Sequence, residues 1–258
     1  MDSILAVKIG GSTLGAHDTT LEDLVLLQRE GVSAVVVHGG GKRLSEWLRR
    51  WGVVSSFSDG LRVTDRDSLE MATAVLAGLV NKELVASLNA LGGRAIGMSG
   101  VDGAMLRATV TRPELGYVGD IVEVDPTPLT FLMKQGYIPV VAPICQGPGE
   151  HPTALLNVNA DAAAGEVAAA CRAHKLVFLT DVDGVRDDQG KTIERLDASE
   201  ARALLGSGTA SGGMIPKIKA SLSALRTVSE ARIIDGRVAH ALHREMAQPV
   251  RGTTIVAG

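Results

Sequence analysis

The chain has few aromatic residues, only two cysteines and no long uninterrupted apolar segment among its 258 residues. Cys145 and Cys171 form no Cys-x-x-Cys pair, so they predict neither a disulfide framework nor a redox motif, and reduced thiols are the simplest interpretation. No run approaches the ~18 apolar residues that a membrane-spanning helix needs. The N-terminus also lacks the basic and apolar regions of a secretory signal. We therefore expect a cytoplasmic protein without a membrane partner.

An excess of positive charge is also lacking. The net charge is -3 and the pI is about 6.1, so composition gives no reason to expect a nucleic acid partner. The sequence contains neither the G-x-x-x-x-G-K-[ST] motif of P-loop enzymes nor a G-x-G-x-x-G segment after a strand. Val101 occupies the last glycine position of a G-x-S-x-G pattern. These absences exclude a P-loop site and disfavour a dinucleotide site and a serine-hydrolase elbow.

Glycine and apolar residues are abundant, with 30 glycines and 45% hydrophobic residues. Short apolar runs are followed by a glycine turn and then by a helical pattern. Ile4–Ile9 precedes Gly10-Gly11, and 34–38 precedes Gly39-Gly40-Gly41. This alternation is typical of parallel strands with helices on both faces. The sequence therefore predicts an α/β fold, a three-layer αβα sandwich with a mainly parallel central sheet.

The remaining elements follow from the same patterns. We predict helices at 21–29, 42–51, 68–91, 130–135, 160–173, 197–205 and 214–229. We predict further strands at 95–98, 104–110, 117–124, 138–142, 175–180, 231–235 and 253–256. The pair 104–110 and 117–124 is expected to form a hairpin near the edge of the sheet. We place a boundary between two lobes near residue 173, and we expect both lobes to share one sheet.

Two lysines near opposite ends of the chain accompany glycine-rich turns. Lys8 ends an apolar run and precedes Gly10-Gly11, and Lys217 follows Gly212-Gly213. A cation beside a glycine turn can attract an anion and leave space for backbone N–H groups to bind it. Taken alone, Lys8 is better explained as a side chain that extends from the end of a strand into solvent. Two such places in one chain favour an enzyme that brings two anions together, as a phosphotransferase does.

Two glycine loops are candidate anion sites. His38-Gly39-Gly40-Gly41 connects a strand to a helix, so its N–H groups can approach an anion, although a simple tight connection is the alternative. Within it, we interpret His38 as a packed side chain. The second loop leads into the helix of Lys217 and consists of Thr209-Ala210-Ser211-Gly212-Gly213-Met214. A helix N-terminus is a suitable place to bind phosphate oxygens. An ordinary solvent-exposed loop is the alternative.

Further polar side chains are candidates for substrate contacts. Arg62, in Gly60-Leu61-Arg62-Val63-Thr64, can offer two parallel hydrogen bonds to a carboxylate or can be a surface arginine. Asn157, Asn159 and Asp161 alternate along one segment, so they can point into one site, and Asn159 and Asp161 can also cap the following helix. We interpret His240 and His243 as surface residues rather than metal ligands, because no nearby residue completes a ligand set.

Taken together and in this order, these segments resemble the amino acid kinase family over nearly the whole chain. Within that family the chain is similar to the members that phosphorylate N-acetyl-L-glutamate in arginine biosynthesis. The segments that carry the resemblance are Lys8-Ile9-Gly10-Gly11, His38-Gly39-Gly40-Gly41, Gly60-Leu61-Arg62-Val63-Thr64-Asp65, Val80-Asn81-Lys82, Asn157-Val158-Asn159-Ala160-Asp161, Thr180-Asp181-Val182-Asp183-Gly184 and Gly213-Met214-Ile215-Pro216-Lys217.

The resemblance implies the amino acid kinase fold, with N-acetylglutamate binding and dimerisation in residues 1–173 and MgATP binding in 174–258. The catalytic residues would be Lys8, Lys217 and Asp161. The substrate would be held by Gly40, Gly41, Arg62, Asn157 and Asn159. The nucleotide would be held by Gly11, by Thr180, Asp181, Val182, Asp183, Gly184 and Val185, and by Thr209, Ala210, Ser211, Gly212, Gly213 and Met214.

The chemistry of that reaction agrees with these residue types. A γ-carboxylate has an ordinary pKa of about 4.3, so it is already ionised at neutral pH and needs no general base. Phosphoryl transfer depends mainly on positioning and charge stabilisation, which two lysines can supply. We expect no protein metal site, because Mg²⁺ would arrive with ATP. We also expect a homodimer, and one that arginine does not inhibit, because arginine-inhibited members carry a helix before the first lysine and only seven residues precede Lys8 here.

Three alternatives stay open. A kinase of lysine biosynthesis that acts on aminoadipate or glutamate linked to a carrier protein is related, and the 157–161 segment weighs against it. A sensor of amino acids or nucleotides on the same fold would have no need to keep Lys8, Asp161 and Lys217 together. Kinases of UMP, aspartate or carbamate belong to the same superfamily, and the segment around Arg62 disfavours them.

Overall fold

The computed structural model describes residues 4–10, 19–58, 60–148 and 155–258. Its strands are β1 (Ile4–Ile9), β2 (Ser33–His38), β3 (Phe57–Ser58), β4 (Leu61–Arg62), β5 (Ala95–Ser99), β6 (Leu106–Val110), β7 (Val118–Val124), β8 (Ile138–Ala142), β9 (Ile144–Gln146), β10 (Leu155–Val158), β11 (Lys175–Thr180), β12 (Arg195–Asp197), β13 (Glu230–Asp235) and β14 (Gly252–Val256). Its helices are α1 (Thr20–Arg29), α2 (Gly41–Arg50), α3 (Arg66–Ala72), α4 (Asn81–Ala90), α5 (Thr127–Lys134), α6 (Ala160–Ala170), α7 (Ala198–Ser207), α8 (Met214–Ala224) and α9 (Ala241–Ala247).

Eight of these strands form one sheet in the order β12-β14-β13-β11-β1-β2-β8-β5. Among the described residues, β13 and β14 pair antiparallel and the other neighbours pair in parallel. The central strands β1, β2 and β11 are almost continuously apolar and buried, as strands covered on both faces are. The predicted parallel sheet is confirmed, and it combines strands from before and after residue 173.

Helices cover both faces of this sheet and create two apolar cores. Side chains alternate along β1, so Ala6 faces one core while Leu5 and Val7 face the other. The core around Ala6 is closed by α5, α6, α7 and α8, and the opposite core by α1, α2, α4 and α9. The three-layer sandwich that the sequence predicts is therefore confirmed.

The long apolar helix predicted at 68–91 is less regular than expected. Asp65 caps it by accepting a hydrogen bond from Ser68 N at 2.8 Å, and Thr73–Val80 between α3 and α4 is π-helical. By length and composition alone, Arg66–Ala90 is apolar enough to cross a membrane, which qualifies our expectation from sequence. Its residues Leu84 and Leu88 are buried in the core on one face of the sheet.

The hairpin of β6 and β7 does not lie at the edge of the main sheet, and this prediction was wrong. The two strands do pair antiparallel, but they belong to a separate closed sheet in the order β10-β7-β6-β9. The reason is that residues 157–158 form a strand that pairs with β7, and no local sequence pattern indicates this pairing. In β10, Asn157 pairs in parallel with Val118 of β7, while the same strand pairs antiparallel with β9.

Two helices end three or more residues earlier than predicted. α6 stops at Ala170 rather than 173, and Arg172 adopts a left-handed φ of 50° that helix continuation does not allow. α8 stops at Ala224 rather than 229, because the chain turns there before β13 begins at Glu230. Apolar residues beyond each helix end, such as Val228, are buried in the core, which extended the apparent helical pattern.

Candidate active site

Lys8 is the second-last residue of the central strand β1, near its carboxyl end. Its neighbours across the sheet are Phe178 of β11 and Val37 of β2. Because side chains alternate, Lys8 lies on the same face as Ala6, the face that α6 covers. The side chain is only 9% exposed, and its Nζ lies 2.8 Å from Oδ1 of Asp161. A buried ammonium is therefore held where open parallel sheets bind their ligands.

Asp161 stands in the first turn of α6 and contacts both predicted lysines. Asn159 caps this helix, with Oδ1 accepting hydrogen bonds from Asp161 N at 2.9 Å and Ala162 N at 3.1 Å. The second carboxylate oxygen of Asp161 lies 3.2 Å from Nζ of Lys217, which also donates to the carbonyl of Gly213 at 3.1 Å. The two lysines, 209 positions apart in the chain, thus share one carboxylate.

The charges in this cluster do not balance. Burial lowers the pKa of Lys8, the attraction of Asp161 opposes that change, and the positive charge of Lys217 lowers the pKa further. With both lysines protonated, two cations share ion pairs with one carboxylate, and the negative charge of Asp181 also raises the pKa of Lys8. The ion-paired cluster itself therefore has more positive than negative charge beside the cavity that Lys8 and Asp161 line.

The cavity next to this cluster has a volume of about 230 Å³ and contains most of the predicted acceptor-side residues. Its walls come from β1, the β2–α2 loop, the β3–β4 hairpin and the segment that enters α6. The predicted residues that line it are Lys8, Gly40, Gly41, Arg62, Asn157, Asn159 and Asp161. The structure brings these residues together, and their individual roles stay predictions.

The glycine loop at the start of α2 requires glycine for a steric reason. Gly40 has a φ of 149°, and a Cβ there would lie 2.6 Å from Cδ2 of Leu76. α2 begins at the next residue with no side-chain cap and no acidic residue in its first turn. The N–H groups of a helix's first turn have no acceptor within the helix, so this loop can bind an anion in the cavity.

His38 contacts the same loop from the buried interior and does not line the cavity. It is fully buried, its Nδ1 lies 2.7 Å from the carbonyl oxygen of Gly39, and its Nε2 lies 3.1 Å from Nδ2 of Asn81. Burial lowers the pKa of His38 to about 4, so the ring is neutral at pH 7. A neutral ring can donate from Nδ1 and accept at Nε2, and these contacts agree with the packed role predicted for His38.

Arg62 is buried rather than on the surface. Its guanidinium donates to the carbonyl of Gly41 at 3.1 Å and to Oγ of Ser45 at 2.6 Å, and it also contacts Ser55. The guanidinium stacks over Phe57 at 4.6 Å from the ring centroid. Burial lowers the pKa of Arg62. These contacts hold its positive charge at the wall of the cavity.

Thr64 links the two predicted substrate-binding segments. Its hydroxyl donates to the carbonyl of Arg62 at 3.0 Å and accepts from Nδ2 of Asn157 at 3.3 Å. Its backbone accepts from Tyr117 N at 2.7 Å, which ties the same point to β7. The segment of Arg62 and the segment of Asn157 are therefore fixed relative to each other through one fully buried side chain.

A second cavity of about 550 Å³ lies at the carboxyl ends of β11 and β13. The predicted nucleotide residues Asp181, Val182 and Asp183 line it. Although burial opposes the change, a hydrogen bond from Thr192 and the charges of two arginines lower the pKa of Asp183. The arginines are near enough for ion pairs, with Arg251 at 2.8 Å from Asp183.

Other predicted nucleotide residues do not line either cavity. Val185 has its side chain fully buried in the core, and Gly184, with a φ of 135°, packs against Thr253. Within the described residues, the loop 209–214 contributes to neither lining, although the bond between Lys217 and Gly213 connects its end to the cluster. Gly11 lies outside the described residues.

Some residues of these sites escaped the sequence analysis. Leu44, Phe57, Leu76 and Val118 line the first cavity, and a single apolar residue in a sequence gives no sign that it faces a cavity rather than the core. Asp235 and Arg237 line the second cavity, and here a signal existed. Both Asp183-Gly184 and Asp235-Gly236 are Asp-Gly pairs near the carboxyl end of a buried strand.

The two histidines near the C-terminus bind carboxylates. Nδ1 of His240 lies 2.6 Å from Oδ1 of the buried Asp23, and Nε2 of His243 lies 2.9 Å from Oε1 of Glu30. These contacts join α9 to α1. Across the described parts of the chain, no group of three or more His, Cys, Asp or Glu residues is arranged to hold a metal ion.

A model of the amino acid kinase family matches residues 3–235. A protein from Dehalococcoides mccartyi named acetylglutamate kinase is 42% identical over 256 residues, which cover 98% of this chain and 94% of that protein. Acetylglutamate kinases of Methanothrix thermoacetophila and Symbiobacterium thermophilum are 44% and 43% identical. Those matches cover 95% and 94% of this chain, and 89% and 87% of the relatives.

Solved structures share the architecture. An N-acetylglutamate synthase from Neisseria gonorrhoeae, complexed with coenzyme A and N-acetyl-glutamate, is similar with a TM-score of 0.85 and 28% identity, over 99% of this chain and 60% of that one. A carbamate kinase from Giardia lamblia bound to AMP-PNP has a TM-score of 0.69 at 13% identity, over 100% and 99% of the two chains. The second likeness shows the fold alone.

Proposed function

Because the chain belongs to the amino acid kinase family, we propose that it transfers the γ-phosphoryl group of ATP to the γ-carboxylate of N-acetyl-L-glutamate. The products are N-acetyl-L-glutamyl 5-phosphate and ADP, in arginine biosynthesis. Relatives named acetylglutamate kinase match nearly the whole chain, which supports the assignment. The structural observation that carries it is the single carboxylate of Asp161 between Lys8 and Lys217 at the end of the substrate-sized cavity.

The cavity has the features that N-acetylglutamate would need. The substrate has two carboxylates separated by a short chain, and the cavity has the cations Lys8 and Arg62 in its walls. Its acetamido group needs hydrogen-bond partners, which the amide side chains of Asn157 and Asn159 offer. The backbone N–H groups at Gly40 and Gly41 add donors for the carboxylate that reacts.

On the donor side, the proposal assigns ATP to residues 174–258. The turn 180–185 and the loop 209–214 are its nucleotide-binding segments, as the family resemblance implies. The described residues contain no group of three or more His, Cys, Asp or Glu side chains placed to hold a metal ion, so we assign Mg²⁺ to the phosphates of the nucleotide, where it would neutralise part of their charge. Gly11 is assigned a backbone contact with the phosphates on the resemblance alone.

The mechanism then follows from charge. The γ-carboxylate is ionised at pH 7, so its approach to a triphosphate is repulsive, and the excess positive charge of Lys8 and Lys217 offsets that repulsion. Lys8 acts on the acceptor side and Lys217 on the donor side of the transferring group. Asp161 keeps the two ammonium groups near each other by reducing their mutual repulsion, and it fixes their positions through bonds of 2.8 and 3.2 Å.

We also propose the division into an acceptor lobe, residues 1–173, and a nucleotide lobe, residues 174–258, within a cytoplasmic homodimer. The long helix supports a dimer, because only 39% of the most apolar part of Arg66–Ala90 is buried within one chain. An apolar helix left partly exposed is typical of a surface that a second copy covers. Sedimentation equilibrium of the purified protein tests this assignment, and a monomer at micromolar concentration would contradict it.

The activity is tested by coupled ADP release over a panel of acceptors. The panel contains N-acetyl-L-glutamate, free glutamate, N-acetyl-L-aspartate, carbamate, UMP and carrier-linked aminoadipate. We expect N-acetyl-L-glutamate to give the highest kcat/KM. Turnover of the carrier-linked acceptor alone would identify the lysine-pathway kinase. ATP binding without ADP release from any acceptor would identify a sensor.

A further inference from the structure

The helix that carries Asp161 has a glycine in its interior. In α6, Gly165 stands in the sequence Ala-Asp-Ala-Ala-Ala-Gly-Glu-Val-Ala-Ala-Ala. Glycine is a poor helix former compared with the alanines around it. The backbone at this position is ordinary helix, with no left-handed φ that would require glycine. The reason for Gly165 must therefore lie in what packs against it.

Gly165 lies directly against the backbone of α8. A Cβ at this position would lie 2.6 Å from the carbonyl oxygen of Ala220 and 3.1 Å from its carbonyl carbon and Cα. These are backbone atoms, so no rotation of a side chain relieves the contact. Any larger residue at position 165 therefore has to push α6 and α8 apart.

This close contact is one helical turn from the ion pair of the active site. Gly165 follows Asp161 by four residues in α6, and Ala220 follows Lys217 by three in α8, so each pair lies on one face of its helix. The two helices run in the same direction. The 3.2 Å contact between Asp161 and Lys217 is thus the next contact along the same helix pair.

Beyond Gly165 the helices are joined by hydrogen bonds. Ser223 Oγ donates to Glu166 Oε1 at 2.5 Å, and Arg226 donates to Glu166 Oε2 at 2.7 Å. Thr227 Oγ1 donates to the carbonyl of Ala169 at 2.7 Å. These hydrogen bonds hold α6 and α8 together beyond Gly165. An added side chain at Gly165 therefore separates the helices most at their opposite ends, where Lys217 contacts Asp161.

We propose that Gly165 is a positioning residue for phosphoryl transfer, because its missing side chain lets α8 place Lys217 against Asp161. The proposal rests on the proposed kinase function and adds to it the element that sets the position of Lys217. Among the described residues, α8 contributes nothing to the lining of the acceptor cavity, so a displacement of α8 should affect the chemical step more than the binding of the acceptor. A displacement of about 1 Å can lower the rate of a chemical step by about 10²-fold.

The variant Gly165→Ala tests this directly, with Gly206→Ala as its matched control. Gly206 lies in α7, and a Cβ there would meet nothing within 4 Å. In the ADP-release assay we expect Gly165→Ala to lower kcat about 10- to 100-fold with KM for N-acetyl-L-glutamate changed less than about threefold. Gly206→Ala should leave both constants within twofold of the parent. Equal kcat values for the two variants would overturn the proposal.

A double variant separates positioning from general damage to the fold. If Gly165 acts through Lys217, then Gly165→Ala should change kcat less than twofold in a chain that already carries Lys217→Ala. A merely structural role predicts the same fractional loss in both backgrounds, and that result would refute a positioning role. If Gly165→Ala does not fold, Ser223→Ala loosens the same helix pair without adding an atom. It should lower kcat only when Lys217 is present, and an unchanged kcat would then overturn the proposal.

A readout that does not depend on activity distinguishes this proposal from the proposed function. Reaction of Lys217 with an amine-reactive acetylating reagent, quantified by mass spectrometry, should rise severalfold in Gly165→Ala and stay unchanged in Gly206→Ala. If labelling increases but the parent chain releases no ADP, the role of Gly165 in positioning Lys217 is supported and the proposed kinase function is refuted. Unchanged labelling in a folded Gly165→Ala variant would refute the role of Gly165 alone.

Discussion

Two carboxylates, each between two cations, lie at opposite ends of the neighbouring strands β1 and β11. At the carboxyl end is the open triad of Lys8, Asp161 and Lys217. At the amino end is the closed network, in which Glu245 of α9 binds Lys175 at 3.0 Å and Arg232 at 2.8 Å. All of these side chains are at least 85% buried, so burial alone does not separate them.

The closed network satisfies its charges within the protein. Lys175 has a second carboxylate, Glu230, at 2.9 Å, so two cations face two anions. Arg232 makes two bonds to Glu245 and also donates to the carbonyl of Val250 at 2.6 Å. The network therefore ties α9 and the segment before β14 to β11 and β13.

Within the described residues, the open triad has no second carboxylate in an ion pair with its lysines, although the negative charge of Asp181 also acts on Lys8. Two ammonium groups share Asp161, and Lys8 and Asp161 line a cavity. A buried carboxylate between two cations is therefore not in itself a functional site. An uncompensated charge at the carboxyl ends of parallel strands, beside a cavity, is what an anionic substrate can use, whereas a balanced set holds elements together.

The largest expected effect is on the open triad. Lys217→Ala should lower kcat by about 10²–10³-fold and raise KM for N-acetyl-L-glutamate much less, because the role that we propose for its charge is to stabilise the transition state. The matched control is Lys219→Ala, an exposed lysine two residues along the same helix. Steady-state ADP release measures both. An intact kcat with weakened acceptor binding would contradict the role of Lys217.

The next effect is on the closed network. Glu245→Gln leaves Lys175 and Arg232 with less negative charge in a buried setting, which should cost about 3–5 kcal/mol of unfolding free energy. Tm should fall by about 10 °C for a chain of this size. Asp161→Asn should lower Tm less, because Lys8 borders a cavity where water can reach it. Thermal unfolding followed by circular dichroism measures Tm for both variants. A larger fall in Tm for Asp161→Asn than for Glu245→Gln would contradict a structural role that is confined to the closed network.

A smaller effect comes from protonating the buried His38, which contacts the glycine loop next to the cavity. The pKa of His38 is lowered from 6.5 to about 4 in the folded chain, so the unfolded chain binds the proton first. Stability is therefore full above about pH 6.5 and falls as pH drops toward 4, by about 3 kcal/mol in total. Urea unfolding of the parent and of His38→Gln across this range measures it. An identical pH dependence in both chains would refute the assignment to His38.

The smallest effect concerns the protonation of Lys8. Burial lowers its pKa below the ordinary value of 10.5, so charged Lys8 destabilises the folded chain, and this cost is relieved as pH rises through the folded pKa toward 10.5. The Cε resonance of Lys8, assigned by its loss in Lys8→Arg, should titrate below 10.5 in a carbon-labelled sample. A midpoint at or above 10.5 would show that Asp161 outweighs burial.

Much of the fold followed from the sequence because β1, β2 and β11 are apolar on both faces, a pattern that surface elements do not show. The pairing of β10 with β7 did not, because it joins residues 157 and 118, and no local pattern specifies so distant a partner. The π-helical segment was also missed, since its apolar residues fit an ordinary helix equally well.

The site divides in the same way. The open triad was predictable, because Lys8, Asp161 and Lys217 each lie in a recognisable glycine or cap motif. The closed network was not, because Lys175 and Glu245 are ordinary charged residues until the fold buries them. The apolar wall of the acceptor cavity, with Leu76 over Gly40, depends on packing between distant segments and leaves no local signal.

We expect the open triad to be needed for activity and the closed network to be needed for stability. Lys8→Met and Lys175→Met remove one buried lysine from each cluster, and kcat and Tm of both variants test the claim most directly. We predict that Lys8→Met loses kcat by about 10²-fold or more with Tm nearly unchanged or raised. Lys175→Met should keep kcat within about threefold and lose Tm. Equal losses of kcat in the two variants would show that the open triad and the closed network do not differ in their importance for activity.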